Sequence, residues 1–323
     1  MKLIAVLLNP TIDQIYKIDN FEVGGTFLVK DSIIYPVGKA ISFSLGVRKL
    51  SKEVNLKVIA FIGRQETSQY SNFLNRLNID FEFISIDGKT RSNKTINDPI
   101  KHTTTHIRER GFDITINNLQ ELTTLLKESV LKEDIVVFSG SIPPNAKKDN
   151  YYKLINLCKD RGATTVLDTN GEALIYGVKA NPKIIKPNLV ELSQILNRPE
   201  LIEINLSNIT DACKSIAKNA RQLLNKELEI ILITLGDKGA ILLTNNLVLY
   251  GNVEIDKVID TVGSGDSFLA GFVLNYLFKE DLLECFKYAI ACGAANTLIS
   301  GPGVFKLEDV KKISKEVEIN QLC

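Results

Sequence analysis

From about residue 55 onward, short strand-like runs at 58–62, 135–138, 165–167, 184–185 and 230–234 alternate with helical stretches at 66–78, 117–131, 148–161, 171–177 and 207–226. Alternation of this kind predicts crossover units, and therefore an α/β fold with a mostly parallel sheet covered by helices on both faces. The opening run Leu3-Ile4-Ala5-Val6-Leu7-Leu8 stops at Asn9-Pro10 without a small-residue cleavage site, so it reads as a buried first strand and not as a leader. Residues 11–19 follow, with Ile12, Ile15/Tyr16 and Ile18 in an imperfect period of two, the mark of a half-buried strand. A second extended segment, 26–35, comes after Gly24-Gly25, and 38–50 reads as a helix with a broad buried face. One region breaks the alternation. Segments 81–86, 91–96 and 103–110 are extended in succession with no helix between them, and with 12–35 they are expected to form a small, separate β-sheet.

Ligands of open parallel sheets collect beyond the carboxyl ends of the strands. The chemistry-bearing residues fall there: Asp13 after the first strand, Ser139-Gly140-Ser141 after 135–138, Asp168 after 165–167, and Asn188 after 184–186. The helix beginning near Gly265 completes the ring. It is entered through Asp260-Thr261-Val262-Gly263-Ser264-Gly265-Asp266. Two glycines before a helix let several N–H groups point outward at its positive end, which makes an anion hole. Asp266, in the first turn, is expected to stay ionised there. A carboxylate beside amides that can hold a phosphate suggests phosphoryl transfer, the aspartate taking the proton of the attacking hydroxyl and the amides of 262–265 stabilising the moving group. The same residues also suit a plain Gly-Ser turn with Asp as a cap.

Two further stretches carry a structural and a functional reading side by side. In Lys186-Pro187-Asn188-Leu189-Val190-Glu191, Asn188 and Glu191 have the spacing of a capping box. Thr234-Leu235-Gly236-Asp237-Lys238-Gly239-Ala240 fits a glycine-containing turn between two strands, and its glycines also suit close approach of a ligand to backbone.

Taken in order, these strings resemble the PfkB (ribokinase-like) family of carbohydrate kinases, and within it the branch of 1-phosphofructokinase and tagatose-6-phosphate kinase. Asp260 to Asp266 is similar to the family's C-terminal signature; Ser139 to Pro144, Leu167 to Leu174 and Leu8 to Asp13 are similar to that branch's SGSLPP, LDTSGEAL and LNPAID. The resemblance covers nearly the whole chain. It implies a single ribokinase-like domain over 1–323, with segments about 12–35 and 81–110 inserted as a β-sheet lid over the sugar, which in relatives often pairs into a dimer. It implies ATP and Mg²⁺. Asp266 would be the base, with Gly263, Ser264 and Gly265 at the transferring group. Lys186, Asn188, Thr234, Gly236, Gly239 and Asn296 would face the nucleotide; Glu191 and Asp168 would serve Mg²⁺, chiefly through water. Asp13, Gly38, Lys39, Ser42, Arg91 and Ser139 would join Asp266 around the sugar.

The departures all lie on the sugar side. The family's GGKGxN is written Val37-Gly38-Lys39-Ala40-Ile41-Ser42, and Phe27-Leu28 stands where the branch has Asn-Arg for the substrate phosphate. Lys30, Lys39, Arg108 and Arg110 are nearby cations that could compensate. The expected activity is an ATP-dependent kinase of fructose 1-phosphate, fructose 6-phosphate or tagatose 6-phosphate. One alternative is a kinase of an unphosphorylated sugar, polyol or nucleoside, and another is a catalytically idle sugar- or nucleotide-binding regulatory protein. With 39 basic and 38 acidic residues among 323, no overall field invites nucleic acid or a membrane surface. Five cysteines without paired spacing suit free thiols in a cytoplasmic protein. Neither GxxxxGK[ST] nor an early GxGxxG is present.

Overall fold

In the computed structural model, which describes residues 1–29 and 31–322, β1 (Leu3–Leu7) lies at the heart of the molecule with every residue buried. Its continuous apolar run has the period-two logic of a strand covered on both sides. Leu3, Ala5 and Leu7 enter the core on one face of the sheet, while Ile4 and Val6 enter the core on the other.

The large sheet has ten strands. β4 (Leu56–Gly63) and β8 (Ile135–Ser139) flank β1 in parallel, and β9 (Thr164–Asp168), β10 (Ile184–Ile185) and β11 (Ile230–Thr234) continue the parallel array beyond β8. Three antiparallel strands, β12 (Ala240–Leu243), β13 (Val248–Asn252) and β14 (Glu318–Gln321), close that edge. Helices α1 (Lys39–Leu50), α2 (Thr67–Arg76), α8 (Ser264–Leu277), α9 (Leu282–Asn296) and α10 (Leu307–Glu316) supply one core. Helices α3 (Ile116–Ser129), α4 (Asn150–Asp160), α5 (Gly171–Val178), α6 (Leu189–Leu196) and α7 (Ile209–Ala220) supply the other. α8 is apolar nearly all round and buried accordingly, wedged against α1 and α9.

The second sheet has four strands: β3 (Ser32–Val37), β2 (Thr11–Lys17), β6 (Arg91–Asp98) and β7 (Thr103–Arg108), in that order. Phe81–Ile86, expected in this sheet, is not in it. β5 (Asp80–Ile86) instead pairs in parallel with β4 at the edge of the large sheet. The reason is local: α2 stands between β4 and β5, so the three form one more crossover unit, and Ile84 and Ile86 are buried in the main core. Of the extended segment expected over 26–35, the described residues are likewise strand only from Ser32.

Cys158, Cys213, Cys285 and Cys292 are free and buried, and burial pushes the thiols of Cys158, Cys213 and Cys285 up to about 12. Among the described residues no helix is long and apolar enough to cross a membrane. Lys30, named above as a compensating cation, and Cys323 lie outside the described residues.

Candidate active site

The amides at the start of α8 are presented by a backbone that only glycine tolerates. Gly263 is the N-cap, with φ 81°, and a Cβ there would come within 2.5 Å of Pro302 Cα. No side chain caps this helix. Asp266 therefore does not spend its carboxylate on capping, although a cap was one of the two readings its sequence allowed. The N–H of Val262 is committed to Asp260 Oδ1 at 3.0 Å and that of Ser264 to Thr261 O at 3.2 Å. Among the described residues, the N–H groups of Gly263, Gly265 and Asp266 make no internal bond, so the open donors are these three and not the run 262–265.

The loop is fixed from behind. Asp260 Oδ2 accepts from Ser300 Oγ (3.1 Å) and Gly301 N–H (3.3 Å), while Asn296 Nδ2 donates to Val262 O (3.0 Å) and Gly301 O (3.4 Å). Asn296 Oδ1 accepts from Ser267 Oγ at 2.7 Å. Asn296, expected beside the nucleotide, is instead fully buried and holds the loop that starts α8.

Beside the open amides sits a cationic cluster. Lys39 Nζ, from the first residue of α1, lies 2.7 Å from Asp168 Oδ1, and Lys186 Nζ lies 3.3 Å from the same oxygen. Two ammonium groups on one carboxylate leave a positive charge over, next to the helix start: Lys186 Nζ is 3.4 Å from where a Cβ on Gly265 would stand. Burial works against the charge of Asp168, but Lys186 and Lys39 hold it below the usual carboxylate range. Burial likewise opposes the charge of Lys39, yet Asp168 and Asp266 hold its ammonium above its ordinary range.

Asp266 behaves differently from the expectation that it stays firmly ionised. Burial, helped by Asp168 and Asp13 and opposed by Lys39 and Lys186, pushes it up to about 7. A carboxyl group poised near neutrality is better matched to taking and returning a proton than one fixed in its charged form.

Starting two residues beyond Lys186, Asn188 and Glu191 form the capping box that starts α6: Glu191 N–H donates to Asn188 Oδ1 at 2.8 Å and Asn188 N–H to Glu191 Oε2 at 2.9 Å. Burial raises the Glu191 carboxyl, against the pull of the Asn188 N–H. Thr234 forms a bridge with Asn188, its N–H donating to Pro187 O at 3.0 Å, so two predicted nucleotide residues stand side by side. Gly236 has open space where a side chain would be, but Gly239 packs onto Gly251 of β13 and points away.

The small sheet contributes one row of side chains to the same site. Tyr35, Asp13, Asn93 and Arg108 are directly paired across β3, β2, β6 and β7, hence on one face. Asn93 Nδ2 donates to Asp13 Oδ1 at 3.2 Å, and Asn93 Oδ1 is buried without a partner. Burial raises the Asp13 carboxyl, with bonds from Thr11 and Asn93 opposing. The sequence reading passed over Asn93. Its signal was there, since a residue two positions after Arg91 in a strand shares that residue's face.

Two predicted substrate residues are engaged elsewhere and a third is buried. Arg91 donates to Pro10 O (3.2 Å), Asn9 O (3.1 Å) and Ser141 Oγ (3.4 Å), tying two loops together. Ser139 is fully buried, its Oγ 3.4 Å from Asp168 Oδ2, and Ser42 is buried on α1. Gly38 is the N-cap of α1 with φ 131°, and a Cβ there would strike the Leu7 side chain at 2.8 Å, which is why this glycine is present while its neighbours differ from the family pattern.

As a metal ligand Asp168 does not serve, because it is fully buried and neutralised by two lysines. Among the described residues no group of three or more His, Cys, Asp or Glu side chains could hold a metal. Glu191, with Oε1 outside the capping box, fits a hydrated Mg²⁺ brought in with phosphates, since that ion asks the protein for only one or two carboxylates.

A sequence profile described as "pfkB family carbohydrate kinase" matches residues 3–308. The 1-phosphofructokinase of Bacillus subtilis is 29% identical over 98% of this chain and 99% of its own length. A tagatose-6-phosphate kinase of Staphylococcus epidermidis is also 29% identical, over 98% and 99%. Among solved structures, phosphofructokinase-2 from Escherichia coli in complex with substrates and products superimposes with a TM-score of 0.86 at 22% identity, over 98% of this chain and 99% of that one, a likeness of fold.

Proposed function

Because the chain belongs to the pfkB family of carbohydrate kinases and is therefore a phosphotransferase, we propose that it moves the γ-phosphoryl group of ATP to a hydroxyl of a sugar phosphate, with Asp266 as the base. The observation that carries this reading is Asp266 itself: a carboxyl group free of any capping bond, raised to about 7, beside three uncommitted amides and a net positive lysine cluster.

The acceptor hydroxyl loses its proton to the Asp266 carboxylate as its oxygen attacks phosphorus. The N–H groups of Gly263, Gly265 and Asp266, with Lys186 beside Gly265, face the charge that grows on the phosphoryl oxygens. Glu191 would hold a Mg²⁺ brought in with the ATP phosphates, and the ion would supply further neutralisation of that charge. Asn188, Thr234 and Gly236 line the nucleotide's side. Asp13 and Asn93 orient sugar hydroxyls, and the small sheet acts as a lid whose closure keeps water from intercepting the phosphoryl group.

The acceptor is a ketohexose phosphate such as fructose 1-phosphate, fructose 6-phosphate or tagatose 6-phosphate, in keeping with the names its relatives carry. Leu28 replaces the expected arginine and is exposed, and Arg91 is spent on carbonyls. Arg108, exposed and in register with Asn93 and Asp13, is the cation left to meet the substrate phosphate. If Arg108 does not do so, an unphosphorylated sugar is the second reading, and a panel of acceptors with and without phosphate separates the two. The outer face of the lid exposes Ile34 and Ile107, which suits pairing of two lids in a dimer.

The Asp266→Asn variant tests the chemistry. Turnover should fall roughly 10²–10⁴-fold while ATP binding by calorimetry persists, as expected on removing a general base. Turnover within a factor of about two of the parent would remove the assignment.

A further inference from the structure

A cavity of about 560 Å³ opens on the far side of the anion hole, between α1, α2 and the segment Gly303-Val304-Phe305. Its floor is apolar: Leu45 and Phe305 are buried there, and Tyr35, Phe73, Leu77 and Val304 line it. Its rim carries Arg48, Lys49, Lys52 and Arg76, and no lining residue is acidic. Among the described residues none of these four cations takes part in a salt bridge. In a chain whose net charge is only +1, four unpaired cations around one cavity form a local concentration of charge. Arg48 is the most constrained of them. Its Nη1 donates to Lys52 O at 2.7 Å, its Nε is buried with no partner, and burial lowers its pKa.

We infer that this cavity is a second ligand site, for an organic anion of drug-like size whose aromatic or aliphatic body fills the apolar floor while a carboxylate, sulfonate or phosphate meets the rim. The volume falls within the range of small-molecule pockets, and an apolar lining with a few convergent polar groups is their usual makeup. The site lies apart from the proposed catalytic residues. It shares with the candidate site Tyr35, paired with Asp13 across β2 and β3, and the segment that runs from Pro302, packed on Gly263, to Phe305 in the cavity floor.

The test uses the full chain and 8-anilinonaphthalene-1-sulfonate, an aromatic body with one sulfonate, followed by fluorescence in the presence of saturating Mg·ADP. One saturable site per chain is expected. N-phenyl-1-naphthylamine, which has the same rings without the charge, should bind about tenfold or more weakly. The triple variant Lys49→Gln, Lys52→Gln, Arg76→Gln alters exposed side chains only, and should weaken the sulfonate about tenfold with no change in melting temperature. Leu77→Glu, which sets a carboxylate at the rim, should weaken it similarly. The inference is overturned by absence of saturable binding, by displacement with Mg·ADP, by equal affinity for the uncharged amine, or by parental affinity in both variants. None of these outcomes bears on the kinase reading, whose test is turnover.

Discussion

The start of α8 and the inner face of the small sheet lie close enough for Asp13 to raise Asp266, yet they are built by opposite means. Around Gly263 the backbone is clamped by Asp260, Asn296, Ser267 and the 301–303 turn, nearly all of it buried. The small sheet is thin. Every residue of β7 is exposed, and its inner row is held by few bonds, chiefly Asn93 to Asp13. On the proposed function, the contrast divides the tasks: phosphoryl handling falls to the buried, clamped region, and acceptor reading falls to an exposed sheet whose side chains can be exchanged at little cost to folding.

That division can be broken most directly at Arg108. Its change to glutamine should raise KM for a phosphorylated acceptor by about 10–100-fold, the scale of a lost charged hydrogen bond, and leave KM for ATP unchanged. A shift in the ATP constant of similar size would show that the two regions do not divide the work. The pH dependence sharpens the same comparison from the other end. As the proposed base, Asp266 would act only when ionised, and burial pushes it up to about 7, so kcat should fall as pH drops through that value, about tenfold by pH 6. The inflection should persist unmoved in the Arg108→Gln variant, because it belongs to the clamped region; its loss there would contradict the separation. The smallest effect is on stability. Asn296→Ala leaves Val262 O and Ser267 Oγ short of a partner inside the core, and should lower the melting temperature by about 2–6 °C. Thr105→Ala on exposed β7 should change it by less than about 1 °C in the same calorimetric scan.

What the amino-acid order disclosed follows the same line. The crossover pattern, the motif residues at strand ends and the capping box of Asn188 and Glu191 are local or periodic features, and each was legible. Membership of a strand in one sheet or another is not local: 81–86 has strand composition either way, and only the helix before it tells which neighbour it meets. The direction of a side chain at a strand end was equally hidden. Ser139 and Asp168 at their strand ends, like Asn296 at the end of α9, sit at the right places in the chain, but they point into the protein and hold other groups in position. The titration of Asp266 was misjudged because a helix start alone favours its charge, while the burial and neighbouring carboxylates that overrule it come from distant segments. The rim of cations beside α1 and α2 was invisible for the same reason, being assembled from residues that look like ordinary solvated charges in the chain.

Val37 ends β3, an edge strand of the small sheet, and Lys39 begins α1 with its ammonium on Asp168, so one residue, Gly38, joins the proposed acceptor-reading surface to the charge cluster of the core. There is no slack in that tether. Val37 is buried, and Gly38 is wedged against Leu7. A tilt of the sheet strains this junction together with the short Leu8–Pro10 link into β2, and the nearest thing it pulls on is a lysine that opposes the effect of burial on Asp266.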